Sequence, residues 1–394
     1  MLKLSLLTIC LSICSFVSAQ SEFDQISPKA EISLITCGTG EYIHTLFGHS
    51  AIRVHDPLTN LDIVFNYGTF DFNKPGFIID FVNGRLDYFL SISRFDRFLA
   101  LYIRENRDVH EHVLDLDQQQ KQQIYQALRE NYKEENRYYL YDFFFDNCSS
   151  RIRDIFELYL SDSLKLDLSY AETDRSFRDL LLPYLAKHEW TCLGINLLLG
   201  SPSDKIANPQ QYMFLPDFLD LAFKNGKIYK NDSWVELSKK SRSLYEAKPI
   251  AISNTFISNI FGPSKIFWAL FFIIAFVSVY GRFKQNRQIA LDILVFSVAG
   301  FLGIMFLYFM YGTDHTVFPR NYNIFWACPL HIFTVFILLK WRSAKWINYY
   351  FAIIAASLFI LIIFWNSWPQ EFHPAVLPLC GILLIRSTFR FISK

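Results

Sequence analysis

The sequence predicts an α+β extracytoplasmic domain followed by an all-α transmembrane domain of about five helices. Two distributions lead there. Apolar residues make up 52% of the 394 positions, yet they concentrate in a nearly uninterrupted last third, while the first two thirds mix alternating and helical patterns with polar residues. The chain also opens with Lys3, an apolar run over 4–17 and Val17-Ser18-Ala19 before Gln20, the layout of a cleaved secretory signal. The expected division is residues 1–19 as signal peptide, 20–250 as the outer domain, 251–262 as a linker and 263–394 as the membrane domain. A net charge of +1 and the lack of any basic run argue against nucleic acid as partner. No cysteine or histidine spacing of a metal site occurs, and no cofactor is expected.

In the outer domain, 31–36 reads as a strand. The segment CGTGEYIHTLFGHS then carries two glycines before the alternating 50–55, so His49 begins a strand next to Gly48. A second alternating run at 62–67 follows the turn residues Asp56-Pro57 and Thr59-Asn60, as in an antiparallel hairpin, which makes Asn66 a cross-strand neighbour of the His49 strand. Further strands are expected at 86–91 and 109–114. Asp117 with Gln120 three residues on forms a capping-box start for a helix to about 136. Helices are expected at 148–160 and 173–187, then one stopped near Gly226, with 227–262 descending to the bilayer.

The membrane segments are 263–280, 289–310, 324–339, 347–365 and 374–391. At about 1.5 Å per residue, the middle three approximately span a core of roughly 30 Å. Pro329 within the third suggests a kink or a re-entrant stretch. Arg282, Lys284 and Arg287, then Lys340, Arg342 and Lys345, then Arg386, Arg390 and Lys394 fall in alternate connections, which the positive-inside rule places in the cytoplasm. That topology puts 20–262 in the periplasm, on a multi-pass protein of the inner (cytoplasmic) membrane. The outward connections 312–323 and 366–374 hold His315, Arg320, Asn321, Asn323 and His373. These are either solvated caps or, with Arg320 at the centre, a phosphate-headgroup site.

The stretch YDFFFDNCSSRIRD at 141–154 is where chemistry is expected. Asp146 or Asn147 is a good N-cap, and Ile152, Ile155, Phe156 and Tyr159 recur at helical spacing, so Cys148 falls in the first turn. Unpaired amides and the helix dipole there favour the thiolate. A lone cysteine at such a place is otherwise a small buried hydrophobe; a nucleophile needs a base and a group to orient it. His49 is the candidate base. Asn66 is preferred for fixing its ring, with His55 and Tyr67 as alternatives. A histidine strand ahead of a cysteine helix is the circularly permuted papain-like (NlpC-like) order. Arg53 and Arg151 adjoin the two motifs and either hold a carboxylate such as Asp146 or bind a phosphate; with Tyr67 and Arg320 they are the candidate substrate-binding residues. His44, His110, His112 and His188 are read as structural. If Cys148 stays free, Cys37 and Cys192 are the remaining pair for a disulfide in the mature outer domain.

The runs FGHSAIRVHDP, VFNYGTFDF, YDFFFDNCSSRIRD and MFLPDFL, ahead of a multi-span C-terminal region, resemble the Lnb family of bacterial lipoprotein N-acyltransferases. The Asn147-Cys148 helix start with His49 upstream is also similar to lecithin–retinol acyltransferase and its phospholipid acyltransferase relatives. The resemblance implies that Cys148 is the nucleophile and His49 its base. It further implies a phospholipid acyl donor and a diacylated lipoprotein as acceptor, at the membrane. Two rivals remain: a membrane-anchored cysteine peptidase or amidase acting on cell-wall peptides, and a non-catalytic sensor or assembly module in which Cys148 is structural. Five spans with polar outer connections favour the lipid substrate, since one anchor would serve a peptidase.

Overall fold

The structure, a computed structural model, describes residues 25–249, 261–284, 288–340 and 347–392. The expected signal peptide lies outside the described residues, as do Arg287, Arg342, Lys345 and Lys394. The chain forms two compact units. One comprises the chain up to Phe77, 86–173 and 208–248; the other comprises 78–85, 174–207 and 249–394. The sequence reading cut the chain once, at 250. The difference arises because two excursions of the outer segment group with the membrane helices.

The first unit is built on a sheet. Its strands are β1 (Glu31–Cys37), β2 (His49–Asp56), β3 (Leu61–Thr69), β4 (Asp87–Arg94), β5 (Val109–Leu114), β6 (Tyr138–Leu140), β7 (Leu164–Lys165), β8 (Lys227–Lys230), β9 (Ser233–Glu236) and β10 (Ser238–Tyr245). Seven of them pair antiparallel in the order β10-β5-β1-β2-β3-β4-β6, and β7-β8-β9 make a small second sheet. β1 is buried from Ile32 to Cys37, because both faces of the sheet are covered. On one face Ile32, Leu34, Ile52, Val54 and Phe65 pack with Ile124, Leu128, Ile152 and Phe156. On the other, Ile35, Ala51 and Val64 meet Phe98 and Tyr102. The expected helix after Asp117 is present, with the capping box closed by Gln120, and ends at Tyr132.

The stretch 227–245 corrects the expected descent to the bilayer, since it supplies β8, β9 and the sheet edge β10. β10 reads SKKSRSLY, with the polar, lysine-bearing composition that protects an edge strand from further pairing and hides the strand pattern. Cys37 and Cys192, the remaining pair for a disulfide, are both free thiols.

The second unit is helical. It holds most of α1 (Phe77–Asn83); α2 (Phe95–Arg104), α3 (Gln118–Tyr132) and α4 (Cys148–Leu160) belong to the first unit. There follow α5 (Phe177–Leu185), α6 (Glu189–Leu198), the first unit's α7 (Pro216–Lys224), and the apolar α8 (Pro263–Phe283), α9 (Ile289–Tyr311), α10 (Leu330–Lys340), α11 (Ile347–Ile363) and α12 (Val376–Ile392). Among the described residues, α8, α9 and the stretch Tyr322–Lys340 are long and apolar enough to cross a membrane, and α11 is shorter. α10 starts immediately after Pro329, so the expected kink is a break between a 3-10 turn at Tyr322–Phe325 and the helix proper. Arg386, expected in a basic tail, instead lies buried in α12, where it donates to Asp292 Oδ1 at 2.7 Å, Ser278 Oγ at 2.9 Å and Gln288 Oε1 at 2.7 Å. An arginine in an apolar bundle is held only with its donors satisfied. Within the same unit Arg85 pairs with Asp314 at 2.7 Å and Tyr308 donates to Asn83, which ties the 78–85 excursion to α9 and the loop after it.

Candidate active site

Two backbone features aim the site. Gly48 has φ +78°, and a Cβ there would come within 2.8 Å of the Cys37 carbonyl oxygen, so only glycine makes the turn that delivers His49 to the first position of β2. On β3, Asn66 pairs with Ser91 and Thr69 with Phe89, a register break that gathers Tyr67 and Gly68 into a bulge. Gly68 sits at φ +85°, with Cys148 beside it.

Asn147 starts α4. Its Oδ1 accepts from Ser149 N and Ser150 N, each at 2.9 Å, while Ser150 Oγ accepts from Asn147 N at 2.8 Å. Its Nδ2 donates to the carbonyls of Phe143 and Phe214, both at 2.8 Å. Phe214 belongs to the MFLPDFL run, so that motif holds the cap of the cysteine helix. Cys148 follows as the first helical residue, buried at 8% exposure. Of the two caps offered by the sequence, Asn147 is the one used.

His49 hydrogen-bonds Asn66 and lies close enough to Cys148 for the two to couple electrostatically. Its Nε2 lies 2.5 Å from Asn66 Oδ1. An amide oxygen can only accept, so Nε2 carries the proton and Nδ1 keeps its lone pair for the thiol. Burial pushes the Cys148 thiol up, but the His49 charge and hydrogen bond, the Ser50 backbone N–H and the Ser149 hydroxyl outweigh it and bring the thiol from 9.0 down to about 7. Burial pulls His49 down, and the Cys148 charge with the hydrogen bonds to Cys148 and Asn66 reverses that, leaving the imidazole raised. The opposite shifts describe a coupled thiolate–imidazolium pair. Ser50 Oγ and Ser149 Oγ, 3.0 Å apart, pin β2 to α4 beneath it.

The other candidates fall elsewhere. His55 lies six residues along β2, opposite Glu31 and Asp62, away from the ring it was a candidate to orient. Arg53, expected to bind substrate, is committed to Asp62 at 2.7 Å and Glu111 at 3.0 Å, with its guanidinium 3.4 Å over the Phe95 ring. Arg151 takes the carboxylate option: Asp146 holds it bidentately, at 2.5 and 2.7 Å, and its guanidinium lies 3.5 Å over Tyr139. Tyr67 is buried next to Tyr139, with ring centroids 6.4 Å apart. Arg320 belongs to the helical unit, where it is exposed at φ +54°. Its neighbours Asn321 and Asn323 do not cradle a ligand, since both donate to the Leu197 carbonyl and Asn323 takes the Trp326 indole N–H.

Sequence reasoning missed the Ser50–Ser149 pair and the use of Asn147's amide at both ends. An asparagine directly before a helix-start cysteine was the available signal for the second. It also missed a chain from Ser241 Oγ to His112 Nδ1 at 2.8 Å and from His112 Nε2 to Asp220 at 3.1 Å. This trio sits by the β10 edge strand, and it reads as a buried imidazole hydrogen-bonded at Nδ1 with a carboxylate beside Nε2. Among the described residues no cluster of histidine, cysteine, aspartate or glutamate is placed to hold a metal ion.

A thiol at a helix start, a strand histidine and an amide across from it fit the thiol-enzyme order read from the sequence. Residues 20–181 match the Lnb N-terminal periplasmic domain, and residues 255–394 match the Lnb transmembrane domain. The chain belongs to the Lnb family. No curated protein and no solved structure matches it significantly. Lnb membership makes this a membrane protein with a periplasmic α/β domain and a C-terminal domain of several apolar helices. It also implies an enzyme of lipoprotein processing.

Proposed function

We propose that this Lnb protein moves an acyl chain from a phospholipid, through a thioester on Cys148, to the α-amine of the N-terminal cysteine of a diacylated lipoprotein. The observation that carries this reading is the Cys148–His49–Asn66 constellation, with a thiol brought to about 7 and an imidazole whose tautomer is set by an amide oxygen. His49 Nδ1 takes the thiol proton and Sγ attacks the ester carbonyl carbon. The tetrahedral intermediate collapses with cleavage of the bond between the acyl carbon and the glycerol oxygen, that oxygen takes the proton from His49 and leaves as the lysophospholipid hydroxyl, and the acyl group remains on Sγ. The neutral amine then attacks the thioester, His49 accepts its proton as the N–C bond forms, and the thiolate leaves. An ester becomes an amide with no change of oxidation state, and an amine attacks a thioester more readily than an ester.

The surroundings of Cys148 support a lipid donor over a hydrophilic peptide. Tyr141 stacks on Tyr88 at 4.4 Å, Tyr88 meets Phe70 at 5.1 Å, and Phe70 meets Phe72 at 4.7 Å. This aromatic run ends at the surface, where Phe72 is 62% exposed near the exposed Tyr42. It offers an acyl chain continuous apolar contact.

The test is incubation with phospholipid followed by mass analysis of the Cys148 peptide. A hydroxylamine-labile acyl adduct is expected, absent in Cys148→Ala. In cells with Cys148→Ala as the sole copy, native lipoproteins are expected to lack the N-acyl chain. Unchanged N-acylation there sinks the proposal, and loss of cell-wall peptide cleavage without any acyl adduct moves the site to the amidase reading.

A further inference from the structure

A tetrahedral intermediate puts negative charge on the former carbonyl oxygen, and that charge needs donors fixed in advance. The first amides of the Cys148 helix are the nearest candidates. Asn147 Oδ1 takes two of them, Ser149 N and Ser150 N. Of the first three helical amides, the Cys148 N–H is the one not spent on the cap. One donor is a thin oxyanion site, so a second must come from the other walls around the nucleophile.

Those walls meet at Gly68. The point where a Gly68 Cβ would stand is 3.8 Å from Cys148 Cβ, 3.8 Å from Tyr141 Cε2 and 4.0 Å from Tyr139 Oη. The missing side chain thus leaves a hollow between the nucleophile and a tyrosine hydroxyl. Tyr139 is 8% exposed, and its Oη has no hydrogen-bond partner among the described residues. A buried hydroxyl in that state costs free energy and calls for a reason. A substrate oxygen entering the hollow needs to move only about 1 Å from the Cβ point to come within the roughly 2.8 Å of an O–H···O bond. The Arg151 guanidinium lies 3.5 Å over the Tyr139 ring, held there by Asp146. A cation on the ring face draws electron density from the phenol and makes its O–H a better donor.

We propose that Tyr139 Oη and the Cys148 N–H together form the oxyanion site, with the Gly68 hollow receiving the substrate's carbonyl oxygen. This inference rests on the acyl-transfer reading above. Tyr139 donates a hydrogen bond and keeps its proton throughout. Burial, then the charge at Cys148, hold the phenol protonated well beyond neutral pH, so it stays a donor while the intermediate forms and collapses. Asp146 and Arg151 act through Tyr139 as positioning residues.

The test uses full-length protein in detergent and two reagents that differ in one requirement. Acylation of Cys148 by p-nitrophenyl butyrate passes through an oxyanion; alkylation by iodoacetamide is a displacement at carbon and does not. In Tyr139→Phe the acylation rate is expected to fall about 10²-fold, with the rate and pH profile of alkylation unchanged. Gly68→Ala, which fills the hollow, is expected to show the same split. Acylation of Tyr139→Phe at the wild-type rate overturns the proposal, and so does a parallel loss of alkylation, which marks a residue that merely holds the thiol in place. A wild-type protein that forms no acyl adduct at all instead takes down the acyl-transfer reading.

Discussion

Two buried thiols of the first unit invite comparison. Cys37 closes β1 directly across the ladder from His49, and Cys148 opens α4 coupled electrostatically to the same histidine. Both are out of solvent. Burial pushes the Cys37 thiol far up, and the Arg107 charge and the Tyr102 hydroxyl do too little to offset it. At Cys148 the same burial is overcome by an imidazolium, a backbone N–H and a hydroxyl, all directed at the sulfur. The difference is donor supply. Cys148 faces His49, the Ser50 N–H from the start of β2 and the Ser149 hydroxyl, whereas Cys37 has only the Arg107 charge and the Tyr102 hydroxyl against its burial. Depth of burial does not separate an inert cysteine from a reactive one.

The largest effect expected from this contrast is on turnover. Cys148→Ala is expected to lower acyl transfer on the order of 10⁴-fold or more, because no other group forms the covalent intermediate. Cys37→Ala is expected to retain it. Next is the ionisation itself, read by iodoacetamide alkylation of each cysteine with mass detection. Cys148 is expected to react ahead of Cys37 at neutral pH, with a midpoint near 7. The sign follows from the lowered thiol: the thiolate fraction falls as pH drops below about 7 and saturates above it. Removing the imidazole in His49→Ala leaves burial less opposed, so the midpoint moves upward and neutral-pH labelling drops. A midpoint that stays put would assign the activation to the Ser50 N–H and the Ser149 hydroxyl without the imidazole. Asn66→Ala comes third, expected to lower kcat about 10²-fold with KM little changed, since it frees the ring to rotate without removing the base.

Much of this contrast was legible in the sequence. Asp117 with Gln120, the helical spacing after Cys148 and the alternation of β2 and β3 are local signals, and each specified its element and the neighbours it brings together. The fate of Arg53 and Arg386 was not legible, because their partners Asp62, Glu111 and Asp292 come from other elements and nothing local to the arginine announces them. β10 was missed for a related reason: an edge strand rich in lysine and serine is chosen by the β5 backbone it pairs with and not by its own pattern. The bulge at Tyr67-Gly68 likewise depends on the register of β4. Sequence reasoning therefore reached His49, Cys148 and Asn66, and stopped short of the hollow at Gly68 between Cys148 and the Tyr139 hydroxyl.

The smallest expected effect sharpens the same comparison through stability. Cys37 packs among Ile35, Ala51 and Val64, so Cys37→Ala deletes a buried atom from a filled core and is expected to cost roughly 1 kcal/mol of the first unit's stability with activity kept. Tyr139→Phe should run the other way. Its hydroxyl is buried without a partner among the described residues, and deleting it relieves an unpaired polar group, by about 1 kcal/mol at most. Thermal unfolding in detergent is expected to show a lowered transition for Cys37→Ala and an unchanged or raised one for Tyr139→Phe. The opposite signs distinguish a residue kept for packing from one kept, at some cost to the fold, for a ligand that arrives only with substrate. A clear loss of stability in Tyr139→Phe would mean that the hydroxyl is already satisfied in the resting protein, and the oxyanion assignment would lose its physical motive.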